Sequence, residues 1–367
     1  MCSSDLSLQN SIRLRTGHLQ LRAASYQEDQ LSLQSKDLLS NPAELAAQAG
    51  ALSEVKAATP VLWIGGILNT IDESAGLQVI GIDPASTLYE PIRSGLVAGD
   101  WLTADDRDGI LIGRLLADSL RVSAGQRVSL AIVNANGQPD EGTFTIRGLF
   151  STGIPSYDES AVFMALDKAQ AFAGTGARAS AIMILLNDRA DTEKVAAALT
   201  APGVTTLTWT DLNTFFVETM QLAAGFYVLL DGIVILIVAV IIANTLLMAV
   251  FERIREMGIL SALGMKGRQI RQMFLLEGAT LGLAGVVVGA VLGLAGVAYL
   301  ATIGIPIGDK MAAVAGSSFA MGTTMRATFD WGTFAALSVA TLLIVLLASL
   351  YPAWYAARLE PVDALRD

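Results

Sequence analysis

Three runs of the chain carry almost no charge. Between Glu218 and Glu252 the one charged residue is Asp231, and Gly278 to Gly308 and Trp331 to Ala357 have none. About 20 apolar residues cross a hydrocarbon layer of ~30 Å, so spans are expected at about 226–250, 276–301 and 333–354. Residues 1–218 have a different texture, with short alternating or β-branched runs broken by Gly, Pro, Asn and Asp. Strands are expected at Gly17–Arg22, Pro60–Ile64, Leu77–Ile82, Arg127–Val133, Thr143–Leu149, Ala161–Met164, Ala181–Leu186 and Val204–Thr208. A hairpin is expected to join Arg127–Val133 to Thr143–Leu149 through Asn134–Gly142. Helices are expected after Asn41-Pro42, over Ile110–Leu120, Leu166–Ala173 and Asp191–Leu199, and from Asp211 as N-cap. The reading is an α+β domain over 1–218, followed over 219–367 by an all-α bundle of three transmembrane helices. The domain is large enough to bury its own core.

Composition sharpens this picture. Of 367 residues, 53% are hydrophobic and 16% charged, which is too apolar for an ordinary soluble chain. The net charge of −10 belongs to the first part of the chain. Residues 1–225 hold 15 Lys+Arg and 25 Asp+Glu, and the remainder holds nine of each. No basic stripe marks the domain, so nucleic acid is not an expected partner. With one cysteine, Cys2, and one histidine, His18, neither a disulfide nor a Cys/His metal site is expected within one chain. No phosphate-binding loop of the G-x-x-x-x-G-K-[ST] type occurs. Acidic pairs such as Asp105-Asp106 and Asp158-Glu159 read as solvated loop charge. No catalytic, cofactor or metal residues are expected, and the chain reads as a non-enzyme.

Between the first two apolar runs lies FERIREMGILSALGMKGRQIRQ, Phe251 to Gln272. Arg253, Arg255, Lys266, Arg268 and Arg271 face only Glu252 and Glu256, whereas the loop 302–332 holds just Lys310 and Arg326. The excess of positive charge places 251–272 inside and 302–332 outside. Three spans then put the N-terminal domain outside and the C-terminus inside. Ile254, Met257, Ile259, Leu260, Leu263 and Met265 make the segment amphipathic, and Gly258, Gly264 and Gly267 punctuate it. Such a segment can dock into a groove on a cytoplasmic partner, or lie as a connector on its own bundle or on lipid headgroups.

The run Arg253-x-Arg255-Glu256-Met257-Gly258-Ile259-Leu260-x-Ala262-Leu263-Gly264 resembles the coupling-loop signature of FtsX-like permeases, the membrane subunits of MacB-type and lipoprotein-releasing (Lol-type) ABC transporters. Further phrases of this family follow in order: Gly17–Leu21, Val79–Pro84, Ile112–Ala117, Gly125–Val128, Gly148–Gly153 and the ending Tyr351–Arg366. The resemblance implies a MacB-type periplasmic core domain and an ABC ATPase partner that supplies ATP hydrolysis. Its contacts would fall on Arg253, Arg255, Glu256, Gly258, Leu260, Ala262, Leu263 and Gly264. It also implies a homodimer or a sister permease, a bacterial inner membrane, and lipoprotein or other amphipathic cargo. Family members have a span before the outer domain, so the first span is expected to be missing from this sequence. The alternative function is a transducer that uses the same mechanics to control a partner such as a cell-wall hydrolase. A receptor with no ATPase is a third reading.

The second apolar run carries Gly278, Gly282, Gly285, Gly289, Gly293 and Gly296. At about 100° per residue they fall within an arc of roughly 80°. One face of small residues lets another helix approach closely, in the same chain or a second one. Asp231 is either an intramembrane carboxylate or a solvated one at the outer boundary.

Overall fold

The computed structural model describes residues 9–27, 30–306 and 324–357. Cys2, most of the 302–332 loop and the ending from Arg358 to Arg366 lie outside the described residues. The chain divides into two compact units, one built on Ser3–Glu218 and one on Thr219–Gly304 and Arg326–Asp367.

The N-terminal unit contains β1 (Leu19–Ala23), α1 (Pro42–Gly50), β2 (Val55–Asn69), β3 (Ser74–Ile82), β4 (Leu96–Gly99), β5 (Gly109–Gly113), α2 (Arg114–Leu120), β6 (Arg127–Val133), β7 (Pro139–Phe150), β8 (Ala161–Ala165), α3 (Leu166–Ala173), β9 (Ala181–Leu186), α4 (Thr192–Ala198), β10 (Val204–Thr208) and α5 (Trp209–Leu212). The strands form one mixed sheet in the order β10-β1-β9-β2-β3-β8-β5-β7-β4, with β6 pairing both β2 and β7. Most pairs are antiparallel; β3 with β8 and β5 with β7 are parallel. Leu62, Ile64, Leu68 and Ile112 pack on one side of the sheet with α2 and α3. Trp63, Ile80, Leu111 and Phe163 pack on the other with Phe150 and Tyr157.

One expected helix is half strand. Ile110–Leu120 splits at Gly113, with β5 before it and α2 after it. All five β5 residues are buried, because β7 and β8 flank the strand and both faces are covered. A continuous apolar run has no period, so strand and helix look alike in it. At its N-terminus α5 also departs from expectation. Thr208, not Asp211, is the N-cap; its Oγ1 accepts from the Asp211 N–H, and the Asp211 carboxylate accepts from the Thr208 N–H at 2.9 Å, a reciprocal capping box.

The turn after β7 is held by Asp158, which is 1% exposed and so is not the solvated loop charge expected of it. Its carboxylate accepts from Ser151 Oγ, the Thr152 N–H and Thr152 Oγ1, at 3.0, 2.9 and 2.7 Å. Asp158→Ala would leave these half-buried donors without their acceptor. It is expected to cost about 1–3 kcal/mol, the desolvation penalty of unpaired polar groups, and to lower the midpoint of the N-terminal unit's thermal unfolding.

The helical unit holds α6 (Thr214–Glu252), α7 (Ile254–Ala262), α8 (Gly267–Thr302) and α9 (Trp331–Ala357); α6 begins in the N-terminal unit and continues into the helical one. α6, α8 and α9 are each long and apolar enough to cross a membrane. With 39 residues, α6 is roughly 58 Å long at 1.5 Å per residue, about twice a hydrocarbon layer. Asp231, exposed on α6, stands 21 residues before Glu252, or roughly 31 Å along the axis.

Candidate coupling segment and helix-packing face

Between α6 and α8 the chain makes two sharp turns around the nine-residue α7. The second is a Schellman motif. Gly264 sits at φ +97°, its N–H donates to Ser261 O at 3.0 Å, and the Met265 N–H donates to Leu260 O at 3.0 Å. This left-handed position favours glycine, because a Cβ there crowds the backbone. α8 then starts with the Lys266 N–H held by Gln269 Oε1 at 2.9 Å.

α7 has two faces. Met257 and Gly258 are buried, with Ile254 and Ser261 half-buried on the same side at helical spacing. Met257 joins Val250, Ile270, Phe274, Ala353 and Ala356 in a cluster that ties α7 to the ends of α6, α8 and α9. The outward face carries Arg255, Glu256, Ile259, Ala262 and Leu263; Leu263 is 81% exposed and Ile259 48%. Of the eight residues singled out in this segment, Arg255, Glu256, Ala262 and Leu263 are therefore together on one surface. Arg253 instead forms an ion pair with Glu277 of α8 at 3.6 Å. Gly258 is an inward packing position, and Leu260 and Gly264 build the turn. Ile259 belongs to the outward face but was not among the eight. Its signal was its i+4 offset from Arg255 and its i−4 offset from Leu263.

The glycine face divides in two. A Cβ on Gly278 would meet Ser349 Cβ at 2.9 Å, and one on Gly282 would meet Val345 Cγ1 at 2.6 Å. These two glycines seat α8 against α9. Gly285, Gly289, Gly293 and Gly296 would each add a Cβ into open space. Part of this open side is the wall of a largely apolar groove of about 520 Å³ between α6, α8 and α9. The matching stripe on α9 is Val345, Ser349, Ala353 and Ala356, all buried. Its spacing of four, four and three, with small residues at three of the four positions, was the missed signal.

Among the described residues, no group of three or more His, Cys, Asp or Glu could hold a metal ion.

Comparison with known proteins accounts for both units. The model of the MacB-like periplasmic core domain matches residues 3–201, more than half of the chain, and that of the FtsX-like permease C-terminal region matches residues 229–361. The lipoprotein-releasing system transmembrane protein LolC of Neisseria meningitidis is 24% identical over 332 residues, which is 85% of this chain and 78% of that protein. An ABC transporter permease of Methanocaldococcus jannaschii, MJ1507, is 24% identical over 76% of this chain and 67% of its own length. The macrolide export ATP-binding/permease protein MacB of Haemophilus ducreyi is 31% identical over 125 residues, 34% of this chain and 15% of that protein. With a short helix between two sharp turns in a basic segment, an apolar helix on either side of it and a mixed-sheet unit earlier in the chain, the chain belongs to the FtsX-like ABC transporter permeases that carry a MacB-like periplasmic core domain.

Proposed function

We propose that this permease passes the motion of a separate ABC ATPase to its N-terminal unit, with α7 as the point where force enters. The supporting observation is that α7 is buttressed on one face by Met257 and the helix-end cluster and presents Arg255, Glu256, Ile259, Ala262 and Leu263 on the other. A helix locked on its apolar side and exposed on the other can be pushed as a body. Rigid helices shifting between discrete packings carry such motion further than a soft loop does. The segment 251–272 faces the cytosol, and the N-terminal unit faces the outside of a bacterial inner membrane. The open glycines Gly285 to Gly296 receive a helix of a second copy or of a sister permease. Similarity to LolC favours lipoprotein release, or handling of another amphipathic cargo from the outer leaflet.

The test is co-purification of an ABC ATPase subunit with the full chain. Glu256→Lys combined with Leu263→Glu reverses one charge and places another on the apolar contact. Membrane insertion should stay intact and co-purification of the ATPase should fall at least tenfold, which corresponds to about 1.4 kcal/mol. Unchanged capture would remove α7 from the docking role.

A further inference from the structure

The pairing of β1 with β9 is completed by a side chain. Leu19 is opposite Ile184, and the His18 N–H donates to Ile184 O at 2.8 Å. The chain then turns away at Gly17, φ +66°, where a Cβ would lie 2.8 Å from that same oxygen. Two residues along β9 from Ile184, the Leu186 N–H points the same way, toward the strand that has turned off. Leu186 is 2% exposed, and a buried main-chain donor needs a partner. The Thr16 carbonyl is occupied by Gln20 Nε2 at 2.8 Å. His18 supplies the acceptor instead, with Nδ1 taking the Leu186 N–H at 2.9 Å.

The same residue reaches a third element. His18 O accepts the Trp209 N–H at 3.0 Å, at the start of α5. Past Leu186 the chain enters the turn Arg189–Asp191, and Arg189 lies over the Trp209 ring, 5.3 Å from its centroid. The end of β9, the turn after it and α5 therefore meet around His18. α5 ends at Leu212 and α6 begins at Thr214.

A neutral ring with Nδ1 as acceptor carries its proton on Nε2, whereas an imidazolium carries protons on both nitrogens and accepts from neither. Protonation would set N–H against N–H and leave the Leu186 donor unpaired. The charged groups around the ring are Arg13 in the turn Ile12–Thr16, Arg189 and Asp188 after β9, and Lys56 of β2, which lines the same cleft. Burial first, then Arg189 and Arg13, hold the His18 pKa below its ordinary 6.5, with Asp188 opposing.

We propose that His18 is a pH-sensitive latch in the N-terminal unit: the neutral ring closes the end of β9 beside α5, and the imidazolium releases Leu186 and the turn that follows. The opening is local, because β9 stays paired with β2 and, through Ala181–Ile184, with β1. The unfolded ring takes up its proton at the ordinary pKa, before the folded ring does. Stability from the latch is therefore full above pH 6.5, is lost as the pH falls through the lower folded value, and falls no further below that.

Hydrogen exchange of the full chain in detergent tests the latch. It is read by mass spectrometry on peptides covering 183–191 and corrected for the intrinsic pH dependence of exchange. Between about pH 8 and about pH 4.5, protection at Leu186 should fall at least about tenfold, as expected for a buried donor that loses its partner. Protection of β5 should stay level. H18N is the decisive variant: asparagine carries Oδ1 where histidine carries Nδ1, accepts a hydrogen bond there and does not titrate. H18N should keep Leu186 protected at acid pH, and H18L should leave it unprotected at every pH. Protection in the wild-type chain that does not change with pH overturns the proposal, and so does an acid loss that H18N shares. Where H18L fails to fold, the comparison of wild type with H18N still decides.

Discussion

Gly113→Val is expected to unfold the N-terminal unit or to lower its thermal midpoint by roughly 6–12 °C. Gly113 joins β5 to α2 with an ordinary backbone, φ −66° and ψ 147°, so no special conformation requires glycine there. Space does. A Cβ at this position would lie 1.9 Å from the carbonyl oxygen of Asp158 and 2.6 Å from its carbonyl carbon. The obstacle is backbone, and that backbone is fixed by the three-donor cage around the Asp158 carboxylate. Neither side can yield without opening β5, the strand buried between β7 and β8. Overpacking of this kind costs about 3 kcal/mol or more. For a unit of some 200 residues each kcal/mol moves the midpoint by roughly 2–4 °C, which yields the range above. Gly76→Val is the matched control, because a Cβ there meets nothing within 4 Å. Thermal unfolding of the full chain in detergent, followed by protease resistance of the N-terminal unit, reads both variants. A wild-type midpoint for Gly113→Val would show that the β5–α2 junction relaxes freely.

The second large effect concerns the helical unit. Gly282→Leu should separate α8 from α9, while Gly289→Leu should leave the fold of a single chain intact. At Gly282 the first added atom already falls 2.6 Å from Val345 Cγ1 and 3.3 Å from its Cβ. Val345 is itself 5% exposed and is stiff at χ1 because it is β-branched, so it offers little room. Without a hydrophobic driving force between helices in lipid, close packing is what holds them, and losing it costs association directly. At Gly289 the same atom enters open space. The two variants therefore separate two roles of one glycine face. Gly282→Leu should lower the melting of the detergent-solubilised monomer. Gly289→Leu should spare that melting and reduce assembly with a second permease chain. Equal melting of the two variants would contradict the split of the face between α9 and open space.

Much of this was legible without coordinates. The three spans, the basic segment between the first two, and most strands of the N-terminal unit follow from apolar run length and alternation. Gly264 could be read as a breaker, and it is one, at φ +97°. Other assignments had no local signal. Ile110–Leu120 looked like one helix because a strand buried on both faces loses its alternation. Which side of α7 faces outward depended on Val250, Phe274 and Ala353, which approach from three different helices.

Sequence by itself determined the class of the molecule and the length and polarity of its parts. These are set by the free energy of moving residues out of water, which each residue contributes nearly independently. Only the tertiary structure decided which glycines touch a neighbour and which face of α7 is free. Those facts depend on atoms that are far apart along the chain and that become neighbours only when the sheet and the helices close.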